Sequence, residues 1–143
     1  MLIGEYQHSV DDKGRLFMPA KFRDELGVKF VASRGIGQCL FVFSKDEWVK
    51  FSSNLTQAPK SNIPAQDFLR LLFASACECE PDKQGRILLP QRLREFAGIE
   101  GEAVVIGLMN RAEIWSKQNW DEFNKRSSQD FEKTLENLSA LGI

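Results

Sequence analysis

The chain contains the same unit twice, and this repetition limits what it can fold into more than any other feature. Residues 11–27 read DDKGRLFMPAKFRDELG, and residues 82–98 read DKQGRILLPQRLREFAG. At an offset of 71, Asp11 matches Asp82, Gly14 matches Gly85 and Arg15 matches Arg86. Pro19, Arg23 and Gly27 find Pro90, Arg94 and Gly98 in the same way. After a one-residue slip, Gly35, Ser44, Lys45, Trp48 and Phe51 find Gly107, Ser116, Lys117, Trp120 and Phe123. Eleven ordered identities with one slip mark a tandem duplication of a unit of roughly 45 residues.

Both units follow one physical grammar. Residues 4–10 alternate around Tyr6, His8 and Val10, as a half-buried strand does. The tetrads 11–14 and 82–85 read as tight turns, since Asp can bond the backbone two residues on and Gly supplies a positive φ. Short apolar runs at 16–18 and 87–89 read as strands. Pro19 and Pro90 then open short helices at the first helical position. Gly27 and Gly98 end those helices, and Phe22 with Leu26, or Leu93 with Ala97, face inward. Residues 28–33 and 39–43, and again 103–107 and 111–115, read as strands. Ser44 caps a further helix with Glu47 at N3, while Phe43 and Trp48 form a hydrophobic staple. The second copy repeats the staple as Trp115 and Trp120, with Asn119 replacing the glutamate. The predicted class is α+β, mainly β.

Residues 52–64, rich in Ser, Asn, Pro and Gln, read as a linker. Phe68, Leu69, Leu71, Leu72 and Phe73 follow on a helix over 65–76 with almost no polar face, which predicts burial, here in a subunit interface. Phe131, Leu135 and Leu138 predict an amphipathic docking helix over 129–141. No apolar stretch approaches the ~20 residues of a membrane span, and charges at Glu5, Asp11 and Asp12 argue against a signal peptide. The expectation is a soluble, cytoplasmic protein with three reduced cysteines.

Most enzymatic and metal chemistry lacks residues to rest on. There is one histidine, His8, without a nucleophilic partner. Cys77 and Cys79 fall on one face of a strand, which suits a core better than a metal site short of ligands. Gly35-Ile36-Gly37 lacks the rest of a phosphate loop and sits where a hairpin must turn. The Asn54-Leu55-Thr56 sequon carries no meaning in a protein that is not secreted. No cofactor, metal or small-molecule substrate is expected.

The two DxxGR elements remain. Each places Arg15 or Arg86 at the start of a strand beside further cations: Lys13, Lys21 and Arg23, or Lys83, Arg92 and Arg94. An arginine fork can hold guanine O6 and N7 in a major groove, while neighbouring cations hold phosphate. The alternative is that Asp and Arg simply brace a hairpin from within the turn. The net charge of −1 does not exclude DNA, because a local patch decides. Residues 82–98 hold four basic and two acidic side chains, whereas residues 11–27 hold four of each.

GEYQHSVDDKGRLFMPAKFRDELG at 4–27, CECEPDKQGRILLPQRLREFAG at 77–98 and VVIGLMNRAEIWSKQNW at 104–120 together resemble the MraZ family of bacterial regulators. The resemblance runs from Gly4 to about Phe123. It implies two AbrB-like modules, at 5–47 and 76–119, forming an intramolecular pseudo-dimer as a swapped-hairpin (double-split) β-barrel. Residues 52–75 would then be the linker and interface helix, and 120–143 a helical tail. It also implies a homo-oligomeric ring and a sequence-specific, nucleoid-associated DNA-binding repressor. The expected target is direct repeats upstream of its own operon, in the cell-division and cell-wall gene cluster.

The family's DxxxR signature maps onto Asp11 with Arg15 and onto Asp82 with Arg86. By this resemblance Arg15 and Arg86 contact DNA, and Asp11, Gly14, Asp82 and Gly85 orient their loops. Lys13, Lys83, Arg23 and Arg94 join the DNA-binding set from charge and proximity. Asp12 stands where the second copy has Lys83, which makes the first turn the poorer phosphate binder. AbrB-like folds are also similar to antitoxins, so a module that binds a protein partner through its tail is the competing expectation.

Overall fold

Four of the six strand pairings join one copy of the repeat to the other. A computed structural model describes residues 1–143. The first copy supplies β1 (Leu2–Ser9), β2 (Arg15–Phe17), α1 (Ala20–Leu26), β3 (Phe30–Arg34), β4 (Cys39–Ser44) and α2 (Lys45–Thr56). After α3 (Ile63–Ser75) the second copy supplies β5 (Cys77–Cys79), β6 (Arg86–Leu88), α4 (Gln91–Ala97), β7 (Glu102–Met109), β8 (Ala112–Ser116) and α5 (Lys117–Gln129). A last helix, α6, covers Phe131–Ser139. No helix is long and apolar enough to cross a membrane.

A six-stranded antiparallel sheet runs in the order β1-β7-β8-β4-β3-β5, beside a two-stranded ribbon of β2 and β6. β1 pairs with β7 of the other copy along its whole length, from Leu2 opposite Met109 to Ser9 opposite Glu102. β5 pairs with β3, and β4 with β8, again between copies. The ladders do not close into the expected barrel: β1 and β5 remain edges, and a single bridge from Val10 to Leu16 links β1 to the ribbon.

One core lies beneath this sheet and draws on both copies. Leu16, Met18, Phe22 and Leu26 meet Ile87, Leu89, Leu93 and Ala97 within it. Phe22, Leu16 and Ile87 are wholly buried, so truncating Phe22 alone is worth about 3–5 kcal/mol. β4 alternates strictly. Leu40 and Val42 face the main core, while Cys39, Phe41 and Phe43 face a second cluster with Trp48, Phe51 and Trp115. Both staples form, with ring centroids 5.8 Å apart for Phe43 and Trp48 and 5.6 Å for Trp115 and Trp120. The Ser44 and Ser116 hydroxyls accept the backbone N–H of Glu47 and Asn119. Ser116 therefore caps α5 without the glutamate, because the capping bond needs only the serine oxygen and a free N–H.

Several elements depart from expectation. Pro19 and Pro90 are the N-caps rather than the first helical residues: their ψ angles of 137° and 146° are extended, and their carbonyls accept the N–H groups of Phe22 and Arg23, and of Leu93 and Arg94. The ribbon strands begin one residue early, at Arg15 and Arg86. The first stretch read as linker is helical as far as Thr56, so only 57–62 lie outside helices. Ser52 is held within the helix with its hydroxyl donating to the Trp48 carbonyl, 2.7 Å away. In α3 only Leu72 and Ser75 are buried in the protomer; Ile63, Phe68, Leu71 and Phe73 stay exposed. The α6 helix forms but docks nowhere on its own chain, with Phe131 and Leu135 exposed.

Candidate nucleic-acid interface

The two DxxGR turns are built by the same set of hydrogen bonds. Asp11 Oδ1 accepts the backbone N–H groups of Lys13, at 3.0 Å, and Arg15, at 2.8 Å. Its Oδ2 accepts the Arg15 Nε–H at 2.6 Å. In the second copy Asp82 Oδ1 accepts the N–H of Gln84 and of Arg86, both at 2.9 Å, and Oδ2 accepts Arg86 Nε–H at 2.9 Å. Gly14 and Gly85, at φ of 86° and 83°, close the turns by donating to the Asp11 and Asp82 carbonyls. The brace expected as the bland alternative is therefore present in both copies. It engages only the Nε side of each guanidinium, so both Nη groups of Arg15 and Arg86 are left unpaired.

These donors hold the Asp11 and Asp82 carboxyls below the ordinary aspartate range; the backbone N–H of Arg15 or Arg86 is the main cause. A depressed folded-state pKa stabilises above the unfolded value, and that contribution disappears as pH falls through the folded one. Both turns are therefore fully braced at neutral pH. An NMR titration of the carboxyl carbons should give Asp11 and Asp82 midpoints below about 3.9. Midpoints at or above that value would mean the braces do not persist in solution.

The copies are locked crosswise. The Met18 N–H donates to the Gly85 carbonyl at 3.0 Å, and the Leu89 N–H to the Gly14 carbonyl at 2.9 Å. Arg23 Nε–H donates to Met18 O at 3.1 Å, and Arg94 Nε–H to Leu89 O at 2.9 Å. Each helix arginine thereby lies over the other copy's turn. A Cβ on Gly14 would come within 2.5 Å of Arg94 Nε and 2.9 Å of the Leu89 carbonyl, and one on Gly85 within 2.7 Å of Arg23 Cζ. Glycine is required at both turns by backbone angle and by this close approach.

Between the turns lies the ribbon. Its register sets Arg15 opposite Leu88, Leu16 opposite Ile87 and Phe17 opposite Arg86. Leu16 and Ile87 point into the core, so alternation puts Arg15, Phe17, Arg86 and Leu88 on the outer face. Arg15 and Arg86 lie on a diagonal of this face, about 7–8 Å apart by strand geometry. Lys13 and Lys83 are exposed on the flanking turns. The six cations assigned to DNA contact from the sequence thus gather at one edge, but they divide in two. Arg15, Arg86, Lys13 and Lys83 face outward, whereas Arg23 and Arg94 lie over the opposite turns with their Nε–H groups on carbonyls. Arg94 shares its hollow with Asp12, Glu95 and Glu100, and Arg23 with Asp24 and Glu80, which weakens both as phosphate ligands.

As plain apolar runs, 16–18 and 87–89 do not single out Phe17 and Leu88. The period of two, with Leu16 and Ile87 inward, was the available signal. Elsewhere Cys79 is buried and Cys77 half-buried along β5, and burial pushes the Cys39 thiol up to about 12. Gly35 to Gly37 form the β3–β4 hairpin turn, with Gly37 at φ 89°. Asn54 to Thr56 are the last turn of α2.

The family model described as "MraZ protein, putative antitoxin-like" matches twice, over residues 1–71 and 72–140. A protein of Caldicellulosiruptor saccharolyticus named transcriptional regulator MraZ is 50% identical over 143 residues, covering all of both chains. Proteins of the same name from Clostridium beijerinckii, at 49% over the full length of both, and Desulforamulus reducens, at 46% over 99% of both, are similar to the same extent. With two matched domains and full-length relatives at this identity, the chain belongs to the MraZ family.

Proposed function

We propose that this chain is a sequence-specific DNA-binding transcriptional regulator whose reading element is the outer face of the β2–β6 ribbon. The observation that carries this is the ribbon itself: two arginines on one diagonal, each steered by an aspartate on its Nε side and open on its Nη side. A major groove admits a two-stranded ribbon, and an arginine fork matches guanine O6 and N7. Lys13 and Lys83 hold the phosphates on either side. Asp11, Gly14, Asp82 and Gly85 fix the direction of the forks, and Arg23 and Arg94 support the turns from behind.

Strand exchange between the copies supports the AbrB-like pseudo-dimer reading at 5–47 and 76–119. The exposed apolar faces of α3 and α6 support assembly into a ring of identical subunits. Such a ring repeats the ribbon at fixed spacing and suits direct repeats, where avidity adds about 10²–10⁴-fold. Occupying the repeats upstream of its own operon, in the cell-division and cell-wall gene cluster, excludes polymerase and represses. The uncovered α6 also favours a second reading, an antitoxin-type module that holds a partner protein.

Fluorescence anisotropy on a duplex from upstream of the protein's own gene, beside a scrambled duplex and across a salt series, tests the proposal. Salt-dependent binding that prefers the native repeats is expected. Equal binding to both duplexes would reduce the protein to a general polyanion binder. Absence of binding, with a stoichiometric partner in its place, would favour the second reading.

A further inference from the structure

We infer that Phe17 and Leu88 are specificity-determining residues that read thymine 5-methyl groups next to the bases held by Arg15 and Arg86; the inference rests on the DNA reading above. The ribbon's inner face is complete without them, because Leu16 and Ile87 are wholly buried. Phe17 and Leu88 nevertheless stand 44% and 60% exposed, each directly opposite an arginine across the ladder. Cross-strand neighbours of this kind lie about 4.5–5.5 Å apart at Cβ. Each fork is therefore accompanied by one uncovered apolar side chain within a base step's reach. The His8 ring of β1 lies beside Phe17, with centroids 6.2 Å apart and planes tilted by 50°.

The outer face is thus a two-by-two pattern of donor fork and apolar group, repeated by the pseudo-symmetry of the duplication. In a major groove the one apolar group offered by any base pair is the thymine methyl. A phenylalanine and a leucine beside guanine-reading arginines match a step in which a thymine adjoins a guanine. The two copies differ in size at this position, Phe against Leu, so the two halves of the site differ in how closely they hold the methyl.

The test uses the intact protein and the upstream duplex, in which the thymines of each repeat are replaced one at a time by deoxyuridine. This removes the methyl and nothing else. At one or two positions wild type should lose about fourfold in affinity, the worth of one buried methyl. A Phe17→Ala/Leu88→Ala variant should bind the thymine duplex more weakly and be indifferent to deoxyuridine at those positions. Both residues are surface-exposed, and a thermal melt checks that the variant is folded. If wild type binds every deoxyuridine duplex as it binds the thymine one, or if the variant keeps the deoxyuridine penalty, the inference is wrong while DNA reading by the arginines stands. If the variant alters oligomeric mass instead, the apolar pair is a subunit contact and the inference falls. Failure of wild type to prefer the thymine duplex over a scrambled one would remove the DNA reading and this inference together.

Discussion

Replacing Arg15 and Arg86 together by alanine lowers affinity for the upstream duplex by about 30-fold to about 10⁴-fold, because each bidentate fork discriminates by about 1–3 kcal/mol. The protein stays folded. Both arginines pair with exposed or half-exposed aspartates, and such pairs contribute about 0–1 kcal/mol each. The backbone bonds from Lys13, Arg15, Gln84 and Arg86 to the aspartates survive the substitution. Lysine in place of arginine separates charge from geometry: it keeps the cation but cannot fork. Arg15→Lys/Arg86→Lys should keep the salt slope and general affinity while losing the preference for the native repeats. The readout is anisotropy on native and scrambled duplexes, with a thermal melt for folding. A double alanine variant that binds like wild type would exclude these arginines as contacts.

Severing the copies is expected to abolish folding of each half as a monomer. Residues 1–62 alone lose the only partners of β1 and β2, the β8 neighbour of β4 and the β5 neighbour of β3, and keep only the β3–β4 ladder. A lone hairpin is marginal in water, and the main core is divided between the halves. Each half should show no cooperative thermal transition as a monomer, and mixing the two should restore one. A nick within 57–62 should leave the pieces together, melting in one transition. A half-chain that melts cooperatively and independently of concentration would show that the copies are separate units.

The parts of the structure that were legible in the sequence are those decided within four or five residues. The Asp-to-Arg turns follow from an aspartate that reaches N–H groups two and four positions on, with glycine at the one positive-φ position. The serine caps and the Phe43–Trp48 and Trp115–Trp120 staples are equally local. Even so, local polarity misled at Ser52, where tertiary packing of Phe51 into the second cluster carries α2 on through a stretch of linker-like composition. Charge and proximity place Arg23 and Arg94 in the DNA set, but they do not reveal that each lies in a hollow shared with carboxylates.

The amino-acid order alone determined that there are two copies, that each holds an arginine on an aspartate-braced turn, and which residues face inward along most elements. Only the tertiary structure decided that the copies interlock. It joined Leu2 to Met109 and Arg15 to Leu88, laid Arg94 over Gly14, and turned Phe17 and Leu88 outward between the arginines. The division has one physical cause. Turn and cap chemistry acts over a few ångströms along the chain, whereas a strand's partner is chosen by burial shared among segments as many as a hundred residues apart, which no local pattern encodes.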